Sequence, residues 1–184
     1  MTAPTSFRLA GRPVPVIGRA RIYVCGITPY DTTHLGHAAT FVWTDVCARV
    51  LRHTGVTVEV CRNITDVDDD LLAQARRLGV DWRRLAAKQT YRFEEDMRLL
   101  NVGKPAHEPQ SHNYVGEVLS LARALLDAGA AYECEGTVWF RGDGVNLRAG
   151  LDRKAAEALV GTAEHLRGRE SPLDVPVWQP SLPG

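Results

Sequence analysis

Residues 23–45 read Y-V-C-G-I-T-P-Y-D-T-T-H-L-G-H-A-A-T-F-V-W-T-D. A β-type run, Arg21–Cys25, ends at Gly26, and Gly26 to Leu35 reads as a loop with Pro29 inside it. His34-Leu35-Gly36-His37 then opens a helix that runs to about His53. Ala38, Ala39, Phe41, Val42, Trp43, Val46, Val50 and Leu51 make it apolar on nearly all sides, the pattern of a buried helix. Gly55 ends it, and Val56–Val60, alternating and β-branched, is a second strand. Strand, helix, strand is one βαβ unit, which implies parallel strands joined by a right-handed crossover. The fold class is therefore α/β, a Rossmann-like parallel sheet.

Working outward, Thr65 or Asp66 is expected to cap the next helix. Its apolar face is Val67, Leu71, Leu72, Ala75 and Leu78, its end is Gly79, and Asp68, Asp69 and Asp70 sit in its first turn, where the helix dipole favours acids. Asp81 caps a further helix carrying Leu85, Phe93, Met97 and Leu100. Val115, Val118, Leu119, Ala122, Leu125 and Leu126 mark another helix at spacings of three and four. Ala131–Phe140 reads as a hairpin, Arg153–Val160 as a short helix, and the four prolines of Ser171–Gly184 leave no clear element there. Residues 1–20, punctuated by Pro and Arg, form an arm, and 21–184 form one domain with a helical insertion after residue 65.

The 184 residues suffice for a core, and 45% of them are hydrophobic, which excludes a disordered chain. The formal net charge is zero, which lends no support to a surface that grips nucleic-acid phosphates. No apolar run reaches the roughly 18 residues that span a membrane, and Met1–Arg12 lacks the apolar stretch of a secretory signal. Cys25, Cys47, Cys61 and Cys134 form no C-x-x-C pair, so the expectation is a cytoplasmic protein with reduced thiols.

The chemistry concentrates at the start of the first helix. A helix N-terminus offers unpaired N–H groups and partial positive charge, a natural phosphate site, and Gly36 lets a nucleotide lie on the backbone. His34 and His37 can donate hydrogen bonds to a phosphate, each worth about 1.5–3 kcal/mol when charge-assisted. The same two histidines can equally cap or pack the helix, and as metal ligands they lack further donors nearby. Cys25 alone reads as a small buried hydrophobe, Thr65 as a cap, and Cys47, Cys61, Trp82, Trp139 and Trp178 as packing residues.

His34-Leu35-Gly36-His37 resembles the H-I-G-H motif of class I aminoacyl-tRNA synthetases. Cys25-Gly26 and Asn63-Ile64-Thr65-Asp66-Val67-Asp68-Asp69 narrow the resemblance to the cysteinyl-tRNA synthetase family. The longer string C-G-I-T-P-Y-D-T-T-H-L-G-H-A-A-T is most similar to the branch that joins activated cysteine to an amino sugar, the ligases of mycothiol synthesis. The resemblance implies ATP and L-cysteine as substrates and cysteinyl-adenylate as product. It also implies a zinc ion with Cys25 as one ligand, a cysteine site lined by Cys25, Gly26, Thr28 and Thr65, and an ATP site comprising Thr28, His34, Gly36 and His37. His34 and His37 are the implied catalytic pair, steadying the α-phosphate.

The family's G-W-H-x-E-C zinc segment and its K-M-S-K-S loop do not occur here; the only lysines are Lys88, Lys104 and Lys154. The match covers the first half of a catalytic domain, and a lone Cys25 holds no zinc. Three expectations follow: one subunit of a split ligase completed by a second polypeptide, a cysteine–tRNA ligase-like fragment, or a non-catalytic module binding ATP or cysteine. The neutral charge weighs against tRNA as a partner.

Overall fold

A computed structural model describes residues 6–30, 34–160 and 168–180. The start of the arm, Asp31-Thr32-Thr33 of the motif string and the last four residues lie outside it. The chain divides into two compact units, Met1–Asn113 and Tyr114–Gly184.

In the first unit, β1 (Ser6–Leu9) and β2 (Arg12–Pro15) form an antiparallel hairpin within the arm. β3 (Arg19–Ile27) leads through the motif loop into α1 (Leu35–His53), and β4 (Thr57–Ile64) returns parallel to β3. The βαβ unit is as the sequence predicts, with longer strands: β3 continues past Gly26 to Ile27, and Cys61 lies inside β4. Its register runs from Arg19 opposite Thr57 to Val24 opposite Arg62, then shifts so that Ile27 faces Ile64.

Two helices follow, α2 (Asp69–Leu78) and α3 (Trp82–Leu99). Asp81 caps α3 by accepting from the Arg83 and Arg84 amides, as predicted. The cap of α2 is Asp68, which accepts from Asp70 N, and not Thr65 or Asp66. The physical reason is that those two side chains are spent elsewhere: Thr65 Oγ1 accepts from Asn63 Nδ2 at 2.9 Å while its amide bonds Ile27 O, and the Asp66 carboxylate is buried against His112.

Ile27, Phe41, Phe93 and Met97 form the core between β3, α1 and α3, with the two phenyl rings edge to face at 5.1 Å. Arg62 is buried with its guanidinium 4.6 Å over Phe93, and it pairs with Glu108. Leu71, Ala75, Leu85 and Ala86 zip α2 to α3.

α1 corrects one expectation. Of the apolar residues that made it read as a buried helix, only Phe41 and Leu51 are buried; Trp43 is 70% exposed, and Val46 and Val50 are exposed. Two strands cover one side of a helix only, so its remaining apolar surface faces outward.

In the second unit, α4 (Val115–Asp127) packs Ala122 against β5 (Ala131–Cys134) and β6 (Thr137–Phe140), the predicted hairpin. α5 (Val145–Arg148) and α6 (Arg153–Val160) follow. The proline-rich end does contain an element: β7 (Val175–Trp178) pairs antiparallel with β6. Pro176 is tolerated because β7 is an edge strand, where a missing N–H costs little. The four cysteines are free thiols. Among the described residues no helix is long and apolar enough to cross a membrane.

Candidate active site

In a parallel βαβ unit the carboxyl ends of both strands and the amino end of the connecting helix share one edge, the edge where ligands bind in open α/β sheets. Here that edge carries Cys25, Gly26 and Thr28 from β3 and its loop, Asn63 and Thr65 from β4, and His34, Gly36 and His37 from the start of α1.

Asn63 organises the strand ends. Its Oδ1 accepts from Gly26 N at 2.8 Å and from Tyr23 Oη at 2.9 Å, while its Nδ2 donates to Thr65 Oγ1 at 2.9 Å. The backbones approach so closely that a Cβ on Gly26 would lie 1.5 Å from the Asn63 carbonyl oxygen. Gly26 is thus demanded by the register shift in β3, and its amide is committed to Asn63. Cys25 stands exposed beside it, not buried as a small hydrophobe would be. Thr28 is half-buried next to the fully buried Pro29, and its carbonyl accepts from Tyr30 N at 2.9 Å.

At α1, His34 is the N-cap: its Nδ1 accepts from Gly36 N at 3.1 Å. Its ring stacks on His37 with centroids 3.9 Å apart. The Nδ1 of His37 is buried with no hydrogen-bond partner among the described residues. Burial, then repulsion from His34, holds the His37 imidazole below its ordinary pKa, so its neutral form is favoured. A Cβ on Gly36 would come within 2.9 Å of His34 Cε1, so the glycine makes room for the imidazole over the helix end. The Gly36 amide is committed to this cap; an uncapped helix N-terminus offers such amides to anions.

The acids after Thr65 do not converge. Asp66 accepts from His112 N at 3.0 Å and pairs with its Nδ1, Asp68 caps α2, and Asp69 and Asp70 are exposed. As for metal, Cys25 is a single donor, and no group of three or more His, Cys, Asp or Glu able to hold an ion occurs among the described residues. One thiolate does not fit the four-donor zinc site that the resemblance implies.

Sequence reasoning missed Asn63 as a hub, Arg62 as a buried cation and the Asp66–His112 pair. Asn63 lies within the N-I-T-D string, which was its only signal; the other two depend on residues some 46 positions away.

A family model for the catalytic domain of class I (C) tRNA synthetases matches residues 14–184. The chain is 41% identical to the L-cysteine:1D-myo-inositol 2-amino-2-deoxy-alpha-D-glucopyranoside ligase of Streptomyces griseus, over 98% of this chain and 45% of that protein. It is 40% identical to the ligase of the same name from Mycolicibacterium vanbaalenii, over 94% and 43%. The chain spans less than half the length of these relatives. Among solved structures it resembles Mycobacterium tuberculosis methionyl-tRNA synthetase in complex with methionyl-adenylate, with TM-score 0.59, 20% identity, and coverage of 67% of this chain and 24% of that one. That likeness concerns the fold. With motif, sheet and matched length in agreement, the chain belongs to the class I tRNA synthetase family, through its (C)-type catalytic domain.

Proposed function

We propose that this chain forms the nucleotide- and cysteine-binding half of an ATP-dependent cysteine ligase, which makes cysteinyl-adenylate and passes the cysteine to an amino-sugar acceptor. The carrying observation is the arrangement at the βαβ edge: Asn63 ties Gly26 and Thr65 together at the strand ends, and His34, Gly36 and His37 open the adjoining helix. The names of the relatives support the acceptor class.

In this reading Cys25, Gly26, Thr28 and Thr65 line the amino-acid side, while the Gly36 amide, Thr28, His34 and His37 hold the phosphates. The cysteine carboxylate attacks the α-phosphorus, the bond to the bridging oxygen breaks, and pyrophosphate leaves. Charge builds on the α-phosphate oxygens, and preorganised donors at a helix end stabilise it with no protein nucleophile. A zinc ion would supply selection for a thiolate over a hydroxyl; Cys25 would be one donor, and the other donors and the phosphate clamp would come from outside the described residues. The free thiols fit a reducing, cytoplasmic setting.

The test is cysteine-dependent ATP–pyrophosphate exchange with added zinc, with serine as control substrate and His34→Ala as control variant. Exchange specific to cysteine and lost in the variant supports the reading. No exchange from folded protein, alone and with a completing chain, refutes it in favour of a non-catalytic module. tRNA is the second acceptor to assay, since the family model is that of a tRNA synthetase.

A further inference from the structure

The segment that follows α3 returns beside β4 in the same direction. Arg62 N donates to His107 O at 3.0 Å and Ile64 N to Pro109 O at 2.9 Å, and the bridges of Cys61 to His107 and of Ile64 to Gln110 are parallel. Three parallel segments therefore end on one edge, at Ile27, Ile64 and Gln110, and His112 stands just past the end of the third. Ser111 Oγ donates to Ile64 O at 3.2 Å and His112 N to Asp66 Oδ1 at 3.0 Å, which fixes both residues against Thr65 and Asp66.

Asp66 is only 5% exposed, and its second oxygen contacts Nδ1 of the same His112. A carboxylate only accepts hydrogen bonds, so Nδ1 carries the proton and Nε2 the lone pair. The ring is 42% exposed, and among the described residues Nε2 has no partner. Tethering the segment needs only the His112 amide, which nearly any residue supplies. The ring adds what a tether does not need: an imidazole held in one tautomer by a buried carboxylate, with its basic nitrogen open to solvent. That is the arrangement of a general base.

The reading above leaves a task for such a base. Adenylation starts from a carboxylate and needs none. Transfer does, because an amine is largely protonated near neutral pH and must shed protons to form an amide. The histidines of α1 are otherwise engaged: Nδ1 of His34 accepts from Gly36 N, and Nδ1 of His37 is buried.

We infer that His112 is the general base of the transfer step, with Asp66 as its positioning residue; the inference rests on the ligase reading above. The amine nitrogen attacks the carbonyl carbon of cysteinyl-adenylate and the carbon–nitrogen bond forms. The bond from that carbon to the phosphate oxygen breaks, and AMP leaves with the electron pair. The proton lost by the nitrogen passes to His112 Nε2.

The test supplies synthetic cysteinyl-adenylate to the full chain, with glucosamine as the probe amine, and reads amide formation against hydrolysis by mass spectrometry. The wild-type chain should speed amide formation over the uncatalysed rate. His112→Ala should slow it about 100-fold and Asp66→Asn about tenfold, and added imidazole should restore His112→Ala at least tenfold. His112→Gln, which keeps a donor beside Asp66, should be as slow as His112→Ala while unfolding with the wild type. Nitrogen-15 NMR of the wild-type imidazole should show the Nδ1–H tautomer. No acceleration by the wild-type chain, amide formation indifferent to His112→Gln, no imidazole rescue of a folded His112→Ala, or an Nε2–H tautomer each overturns the inference. Cysteine-dependent pyrophosphate exchange on the same protein separates the two claims. Exchange with amide formation indifferent to His112 overturns the inference alone. Amide formation that depends on His112, without exchange, overturns the activation reading alone.

Discussion

Each unit contains one polar side chain that gathers hydrogen bonds from distant parts of the chain, and the two differ in kind. In the second unit the buried Asp174 accepts from Tyr132 Oη at 2.7 Å, Gly142 N at 2.9 Å and Ser171 N at 2.9 Å. In the first, the half-buried Asn63 accepts from Tyr23 and Gly26 and donates to Thr65. Asp174 is a charge enclosed by its donors, and its bonds hold β5 and the β6 exit to the turn before β7. Asn63 stands at the open end of parallel strands, and one of its partners is a hydroxyl that a ligand can share. A polar hub sealed from water marks a structural knot, whereas one at the carboxyl edge of parallel strands stands where open α/β sheets generally bind ligands.

The largest effects should come from the glycines that let each hub close. A Cβ on Gly26 meets the Asn63 carbonyl at 1.5 Å, and one on Gly142 meets the Leu173 carbonyl at 1.8 Å. Gly26→Ala and Gly142→Ala should each cost about 4 kcal/mol, because backbone must move. Urea unfolding with residue-resolved hydrogen exchange should show β3–β4 opening in the first variant and β5–β7 in the second. The same first opening in both would break the comparison.

Next in size, Asp174→Ala leaves three donors unpaired and should cost about 3 kcal/mol, with Asp174→Asn recovering part of it. Asn63→Ala should cost less, about 1–2 kcal/mol, since water reaches the half-buried site. It should nevertheless raise the KM for cysteine by at least tenfold in the exchange assay. A variant that loses stability with KM unchanged would make Asn63 a knot like Asp174.

The smallest effect is on pH dependence. His37 titrates below its ordinary 6.5 in the folded chain, held down by burial and by His34. Below 6.5 the unfolded chain takes up that proton first, so stability falls with pH until the folded group also titrates. His37→Gln should flatten this acid-side slope in chemical unfolding measured between pH 7 and 5. An unchanged slope would show that His37 is as free to protonate in the folded chain as in the unfolded one.

Much of this was legible in the residues. The β3–α1–β4 order, the Asp81 cap, the β5–β6 hairpin and α6 follow from periods, caps and turn residues that act over a few positions. His34, Gly36 and His37 announced themselves by their place at a helix start. The same local logic failed where a distant partner decided the outcome: Thr65 and Asp66 look like caps until Ile27 and His112 claim them, and the prolines near β7 conceal a strand that exists because β6 is there to pair with it.

By itself, then, the sequence determined the α/β class, the parallel pair and the residues offered at its ligand edge, since alternation, helical period and motif spacing are properties of short segments. Only the tertiary structure decided that α1 is half uncovered, that Gly26 is held by Asn63, that Arg62 lies buried over two phenyl rings, and that one edge of β3 has no strand beside it among the described residues. Those depend on which surfaces find partners, and pairing between residues far apart in the chain is written in no single stretch of it.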